Sequence, residues 1–195
     1  DWSSDVCSSD LMYEESVKVP MLLAGPEVSP SVCTTPVDLL DLFPTILQGM
    51  GVDPDPEMAH RPGRSLFELA RSAPEPERPV FSEYHAAGSN SAAYMLRRGR
   101  WKYLHYVGFR PELFDLEADP EELVDLAARP GYAATVQAME RRLCEICDPV
   151  TVDRRAKADQ AALIARHGGP DAAHQLGSST STPVPAGTPR QETHA

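Results

Sequence analysis

Residues 92–107, AAYMLRRGRWKYLHYV, decide the fold of the second half of the chain. Apolar and polar side chains alternate on both sides of Gly99, as in two strands that each bury one face. Gly99 can adopt the positive φ that a tight hairpin turn needs. We therefore expect an antiparallel hairpin of residues 92–97 and 101–107, with Tyr94 and Leu96 on the same face.

Two further strands and a helix extend this hairpin into a small subdomain. Residues 80–84 and 112–116 are short runs of strand-forming residues bounded by turn signals. Residues 130–147 carry apolar side chains at helical spacing. These side chains are Tyr132, Val136, Met139, Leu143 and Ile146. The helix is expected to cover one face of the sheet, and a second helix to run to about His167.

The first half of the chain has the pattern of an α/β layer. Residues 17–24, VKVPMLLA, form an apolar run that predicts a buried, parallel strand. A helix follows, with Thr35 as its cap and its regular part from about residue 42 to 50. Residues 53–79 are rich in proline and charge, so they predict a surface linker with one short helix at 65–71. The fold class is α/β, with a small antiparallel sheet packed by a helix after it.

Both ends of the chain differ in composition from its centre. Residues 1–11, DWSSDVCSSDL, resemble a translated sequencing adaptor and lack the basic start and apolar core of a targeting segment. Residues 170–195 are rich in Ser, Thr, Pro, Gly and Ala, and we expect a flexible tail there. The natural domains are then residues 12–78, the α/β edge with its linker, and residues 79–169, the sheet and helix subdomain.

Composition excludes several classes of function. The 195 residues carry a net charge of −11 without a basic stripe, which argues against a nucleic-acid partner. No apolar run approaches the roughly 20 residues that cross a membrane. Apart from Cys7, three cysteines remain. An odd number argues against a disulfide framework and fits a reducing compartment, so the cytoplasm is favoured over the periplasm.

Five short motifs, in this order, resemble the C-terminal third of sulfatases of the alkaline phosphatase superfamily. They are Tyr13-Glu14 with VKVP at 17–20, VDLLDLFPT at 37–45, GRSL at 63–66, MLRRGRWKY at 95–103 and ELFDLEADPEELVDLA at 112–127. The wording of these motifs is similar to that of bacterial choline-sulfatase-like and phosphonate-monoester-hydrolase-like members of the superfamily. Asp125 stands where the family usually has Asn. The resemblance implies that residues 12–78 are the remnant of an alkaline-phosphatase-like sandwich.

The resemblance also implies an activity, hydrolysis of a small-molecule sulfate monoester with formylglycine and calcium. The family makes formylglycine from a C/S-x-P/A-x-R motif, and no cysteine here stands in one; in residues 33–37, CTTPV, the proline is one place late. We assign no catalytic residue and no metal ligand, and expect an inactive C-terminal fragment whose parent holds the calcium. The alternatives are a phosphonate or phosphate monoester hydrolase, and a non-catalytic binding or oligomerisation module.

His85 is the one candidate for a residue close to the substrate. It follows the strand 80–84, and the corresponding loop of similar sulfatases can face the mouth of the active site. A surface histidine at a strand end is the competing interpretation. Choline-type relatives carry an acid nearby where this chain has Ala87, which argues against choline as the substrate.

Other groups invite a functional interpretation, but a structural one is favoured for each. Cys144 and Cys147 form a C-x-x-C pair without the further ligands of a zinc site. We expect core packing for the aromatic side chains of Trp101, Tyr103 and Tyr106. We expect a solvated turn for the basic side chains of Arg97, Arg98 and Arg100. We expect turn capping for the acidic side chains of Asp115, Asp119, Glu121 and Glu122. In similar sulfatases the C-terminal tail often packs on a neighbouring subunit. The resemblance therefore predicts that residues 170–195 contribute to a homo-oligomer.

Overall fold

The computed structural model describes residues 12–25, 28–53, 55, 60–85 and 91–175. The predictions for residues 1–11 and 176–195 lie outside this range. The chain divides into two compact units, Asp1–Asp153 and Arg154–Ala195. The domain boundaries drawn above from composition stay predictions.

A four-stranded antiparallel sheet is the centre of the first unit. Its strands are β1 (Val80–Tyr84), β2 (Ala93–Arg98), β3 (Trp101–Tyr106) and β4 (Glu112–Asp115), paired in sequence order. Arg98 lies opposite Trp101, and Gly99 has a φ of 56° in the turn between them. The predicted hairpin and both added strands are therefore confirmed to within one residue.

One face of the sheet packs against a helix. After a 3-10 turn at Pro130–Tyr132, α4 (Ala133–Ile146) places Met139 and Leu143 against the sheet. The buried sheet residues on this face are Tyr94, Leu96, Tyr103 and Leu113. Ile146 departs from the predicted stripe, because it is 42% exposed and Cys147 packs against the core instead.

The other face of the sheet is covered by residues 12–17. Met12 is buried there with Met95, Leu104 and Phe114, and the short helix α1 (Glu14–Val17) follows it. The Tyr13 ring meets the Phe114 ring edge to face, with centroids 5.9 Å apart. We call residues 12–17 the leading segment. The sheet is thus buried on both faces.

A buried carboxylate organises the segment before the sheet. A 3-10 turn at Leu39–Asp41 leads into α2 (Leu42–Gly49), and α3 is Leu66–Arg71. Asp41 is fully buried and accepts hydrogen bonds from Arg78 Nη1 and Nη2, at 2.9 and 2.7 Å, and from the Arg64 amide. A Cβ on Gly63, whose φ is 110°, would clash with the Leu40 carbonyl oxygen. The VDLLDLFPT and GRSL motifs therefore meet in one packed junction.

Thr35 does not cap the helix as expected. Asp38 is the cap, because its side chain accepts from the Leu40 amide and Asp41 bonds back to the Asp38 amide, a reciprocal capping box. The Thr35 hydroxyl instead accepts a hydrogen bond of 2.9 Å from the Glu75 amide. A long-range contact thus replaces the local one that the sequence predicted.

The strand expected at residues 17–24 is wrong for this chain. Val17 ends α1, and residues 18–24 belong to no helix or strand. Val19 is 68% exposed and Leu22 is 94% exposed. Among the described residues, none forms a backbone ladder with this segment, and a strand needs such a partner to pair its amides and carbonyls. The apolar run therefore remains an extended surface segment.

Two helices complete the described chain. The predicted second helix is α5 (Pro149–Arg166), and the Asp148 carboxylate accepts hydrogen bonds from the Val150 and Thr151 amides at its start. It stops before Gly168 and Gly169, which both have positive φ. A further helix, α6 (Pro170–Gln175), lies where a flexible tail was expected, so the prediction is wrong for these six residues.

Candidate functional site

His85 lies directly after β1, on the face of the sheet that α4 covers. Its Nε2 is 3.4 Å from the Glu83 Oε2, and its side chain is 20% exposed. The ring meets the Tyr94 ring edge to face, with centroids 5.5 Å apart. The imidazole is therefore held by a carboxylate and an aromatic ring while part of its surface stays open to solvent.

A buried tyrosine and a partly buried histidine, Tyr94 and His105, continue from His85 across the sheet. Tyr94 is fully buried and donates a hydrogen bond of 3.0 Å to the Pro149 carbonyl oxygen, and burial raises the pKa of its hydroxyl. His105 lies beyond it, with ring centroids 6.2 Å apart, and burial lowers the pKa of its imidazole. A neutral His105 and a protonated Tyr94 form a packed support behind His85.

Two thiols, Cys144 in α4 and Cys147 directly after it, lie close to this row of side chains. Cys144 is exposed, whereas Cys147 is partly buried. Burial, and after it the negative charges of Glu83 and Asp148, raise the pKa of the Cys147 thiol. A thiol that stays protonated is a poor nucleophile. Cys147 is therefore not an activated nucleophile beside His85.

Lys102 is a functional feature that sequence reasoning missed. It lies opposite Arg97 on the face covered by the leading segment, and its side chain is completely buried. Its Nζ is 3.1 Å from the Glu14 Oε1 and 2.7 Å from the Glu122 Oε1. The Glu14 amide also donates to Glu122, at 2.6 Å. This ion network binds the leading segment to the sheet.

A sequence signal for this network existed. In residues 101–107 the positions that share a face with Leu104 and Tyr106 include Lys102, so a charge falls on a face that is otherwise apolar. A lysine in such a place needs a buried acid. The identity of that acid could not be read from the sequence, because Glu14 is 88 residues away along the chain.

Of the acidic residues predicted to cap turns, Asp115 and Asp119 do so, whereas the prediction is wrong for Glu122, which binds the Lys102 ammonium and the Glu14 amide instead. The Asp119 side chain accepts from the Val124 amide, and the Asp125 side chain accepts from the amides of Leu113 and Ala127. Asp115 pairs with Arg100, which lowers the pKa of its carboxyl. Across the described ranges, no group of three or more His, Cys, Asp or Glu side chains could hold a metal ion. These residues therefore do not fit a calcium site.

The aromatic and basic side chains of the hairpin do not form a binding patch. Tyr103 is fully buried, Trp101 meets Tyr132 edge to face at 5.9 Å, and Tyr106 packs on the opposite face. Arg98 pairs with Glu77 at 3.3 Å, and the side chains of Arg98 and Arg100 are exposed, as expected for a solvated turn. The expectation is wrong for Arg97, which lies opposite Lys102 on the covered face with its Nε buried. The expectation of core packing is confirmed for the aromatic rings.

A groove of about 550 Å³ opens beside α3. It is lined by residues 21–25, 28–33, 35 and 37, together with Leu66, Leu69 and Ala70 of the helix. The only titratable side chain among these residues is that of Cys33, whose thiol lies 3.7 Å from the Leu69 carbonyl oxygen. The groove is thus an apolar surface without acid–base chemistry.

Among the described residues, no helix is long and apolar enough to cross a membrane.

Comparison with known proteins identifies the family. The model of the N-sulphoglucosamine sulphohydrolase C-terminal family matches residues 7–148. Arylsulfatase K of Gallus gallus is 36% identical over 147 residues, which are 69% of this chain and 26% of that protein. The choline-sulfatase of Rhizobium meliloti is 39% identical over 119 residues, which are 60% of this chain and 23% of that protein.

Two solved structures also resemble parts of the chain. A 2-O GAG sulfatase matches with 31% identity and a TM-score of 0.48, over 71% of this chain and 30% of that one. The phosphonate monoester hydrolase of Agrobacterium radiobacter matches with 29% identity and a TM-score of 0.44, over 54% and 23%. The chain spans about a quarter of the length of the curated relatives that it matches. With a family model matched over most of its length, the chain belongs to the sulfatases, through their N-sulphoglucosamine sulphohydrolase C-terminal family.

Proposed function

We propose that this chain is the C-terminal part of a sulfuric ester hydrolase that cleaves a small-molecule sulfate monoester. The observation that carries the proposal is the family match over residues 7–148, with five sulfatase motifs in order. The described residues support it, because they build a structural scaffold: the Asp41–Arg78 and Lys102–Glu122 ion pairs are buried within it.

The catalytic groups belong, in this proposal, to polypeptide other than the described residues. Sulfatase chemistry of this family relies on formylglycine and calcium, which together supply the nucleophile and neutralise sulfate oxygens. The described residues offer no metal site, and the only thiol near His85 with a perturbed pKa is held protonated. The chain by itself is therefore expected to be inactive.

The test uses the longest reading frame that contains residues 12–195, expressed beside the 195-residue chain. Both are assayed with an aryl sulfate and with an aryl phosphonate monoester, with calcium and with a chelator. The longer protein should hydrolyse the sulfate faster and lose activity in chelator, while the shorter chain stays at background. Turnover by the 195-residue chain, or a preference of the longer protein for the phosphonate, would contradict the proposal.

We also propose that His85 lies close to the bound substrate. The support is its partly open ring beside Glu83, since a ring N–H of histidine can donate a hydrogen bond to a sulfate oxygen. In the longer protein, His85→Asn should raise KM about tenfold, the equivalent of one charge-assisted hydrogen bond, with kcat little changed. His167→Asn, at an exposed position, is the matched control. Equal KM values for the two variants would contradict the proposal that His85 lies close to the substrate.

A cytoplasmic location and a homo-oligomer complete the proposal. The three described cysteines are free thiols, which fits a reducing compartment. The proposal of a homo-oligomer depends only on the resemblance of the C-terminal tail to the tails of similar sulfatases. Light scattering of the longer protein, with and without residues 176–195, measures it; an unchanged mass would contradict a role for the tail.

A further inference from the structure

The four-stranded sheet has one covered edge and one open edge. At the β4 edge the amide of Leu113 donates to the Asp125 carboxylate at 3.2 Å, and its carbonyl accepts from the Leu126 amide at 2.9 Å. At the β1 edge the comparable groups belong to Phe81 and Glu83. Among the described residues, no backbone hydrogen bond from outside the sheet reaches these two amides and carbonyls. The backbone of β1 is therefore unpaired on its outer side.

The direction of these groups follows from the strand register. The Val107 amide donates to the Ala92 carbonyl at 3.2 Å, so this pair belongs to the bonded set between β2 and β3. Bonded and non-bonded pairs alternate along an antiparallel ladder. Every second residue of β2, beginning with Ala93, therefore bonds to β1 instead. The partners of these residues in β1 are Tyr84, Ser82 and Val80. Phe81 and Glu83, which lie between them, thus direct their amides and carbonyls away from β2.

The strand β1 lacks the features that protect natural sheet edges. Such edges are usually very short, or they carry lysine, proline or a bulge. β1 has five residues, VFSEY, without lysine or proline, and its register with β2 is continuous. Its only charged residue is Glu83, which has His85 of the same chain beside it at 3.4 Å. An edge of this kind can pair with a further strand through its backbone.

The pattern of β1 is complementary to itself. A two-fold axis through Ser82 places Phe81 of one copy opposite Glu83 of the other, and the reverse. Each of these two pairs exchanges two backbone hydrogen bonds, because the outward groups of both residues face each other. Ser82 then lies opposite Ser82, and Val80 lies opposite the aromatic ring of Tyr84. In this register no charged side chain lies directly opposite a like charge.

We propose that the 195-residue chain forms a two-fold symmetric dimer, in which the β1 strands of two copies pair edge to edge. Because the β4 edge is covered in each copy, the joined sheet has no open edge, and association stops at two copies. A contact confined to one strand edge is small, so we expect a Kd in the micromolar range. This contact is separate from the one proposed for the tail, and it does not depend on sulfatase activity.

The first test is sedimentation velocity of the 195-residue chain across the micromolar range, which should show a reversible monomer–dimer equilibrium. Glu83→Pro removes an outward amide, a change that an edge strand tolerates, and with it half of the hydrogen bonds between the copies. Its dimer Kd should rise at least about tenfold. Glu83→Gln, the control, keeps the amide and should dimerise as the unmodified chain does. A chain that stays monomeric, or equal Kd values for the two variants, overturns the proposal.

Ser82 gives a second test, which also decides where Glu83→Pro does not fold. Ser82→Lys and Ser82→Asp each place like charges opposite each other at the two-fold axis, so each should raise the Kd at least about threefold. Ser82→Gln is the neutral control. An equimolar mixture of the two charged variants should dimerise more tightly than either alone, because opposite charges then face each other. A mixture that is no tighter overturns the proposal, since a dimer through another surface would not respond to mixing.

Discussion

At the scale of the residue, Lys102 is the clearest example of a side chain whose role depends on distant partners. Its Nζ lies between Glu14, which is 88 residues earlier in the chain, and Glu122, which follows β4. Glu122 adopts a φ of 55°, an unusual backbone conformation for a residue other than glycine. Such a conformation persists where the surroundings fix it, and here the ion pair and the Glu14 amide do so.

Replacing Lys102 by Met should destabilise the protein by about 3–5 kcal/mol, because two carboxylates would stay buried without their cation. Urea unfolding followed by circular dichroism measures the change. Lys18→Met is the matched control: Lys18 lies 4.0 Å from the same Glu14, but its side chain is 70% exposed, so the loss should stay below about 1 kcal/mol. Similar losses for the two variants would show that the network contributes little.

Residue roles within the motifs could be predicted only in part. Asp41 and Gly63 belong to the stretches that resemble sulfatases, yet the resemblance does not say why they are needed. The structure gives the reason: Asp41 is the acceptor at the junction, and Gly63 leaves room for the Leu40 carbonyl. Arg78, which completes the junction, lies 37 residues away in the linker, so no local pattern could reveal it.

At the scale of the element, local signals predicted most of the helices and strands. The hairpin, β1, β4, α3 and the start of α5 depend on alternation, capping residues and turn glycines, which act within a few residues. The predicted strand at 17–24 failed because a strand is completed by another stretch of chain. The cap before α2 was predicted at Thr35, but the structure has it at Asp38. Asp38 caps because Asp41 bonds back to its amide, a reciprocal contact that Thr35 lacks.

The pairing of Arg100 with Asp115 joins the hairpin turn to the end of β4 and should make the sheet sensitive to acid. The bonds from Arg100 lower the pKa of the Asp115 carboxyl below its ordinary 3.8. A lowered pKa in the folded state gives stability that is complete above the ordinary value and is lost as the pH falls through the lowered one. Arg100→Gln should therefore reduce the loss of stability between pH 7 and pH 2.5, measured as urea midpoints.

The control for this pH dependence is Arg155→Gln. Arg155 pairs with Asp159 at 3.9 Å, and both side chains are more than three quarters exposed, so this variant should lose stability in acid as the unmodified protein does. An acid-dependent loss that is the same in Arg100→Gln and in the unmodified protein would show that Asp115 does not govern it.

At the scale of the whole molecule, the apolar surface is unevenly distributed. Residues 18–50, which include α2, expose many large apolar side chains. Among these are Val19, Met21, Leu22, Val32, Phe43, Ile46 and Met50. Exposed apolar patches of this kind promote association, even when the remainder of the surface is charged. The net charge of −11 opposes that association only in part.

Leu22→Lys in the 195-residue chain should lower self-association without lowering the unfolding midpoint, because the Leu22 side chain is 94% exposed and loses no packing. Light scattering over a range of protein concentrations measures the first effect, and thermal unfolding measures the second. Thr151→Lys, on the exposed side of α5, adds the same charge without removing an apolar side chain. Equal association of the two variants would show that charge alone is responsible.

The family and its fold could be predicted from the sequence, whereas the surroundings of the candidate site could not. Five motifs in order sufficed to predict the family and its fold, because each motif forms a local structure such as a turn, a cap or a hairpin. The position of His85 at a strand end was also readable. Its neighbours were not: Glu83 follows from strand alternation, but Tyr94 faces His85 only because β1 and β2 pair in the observed register.

The first turn of α5 is tied to the beginning of β2. The Asp153 carboxylate accepts a hydrogen bond of 3.0 Å from the Ala92 amide, and the Pro149 carbonyl accepts one from Tyr94. A shortened polypeptide that stopped at the end of α4 would leave both donors buried and unsatisfied. Deletion boundaries for crystallisation or for domain exchange between sulfatases should therefore fall after Asp153.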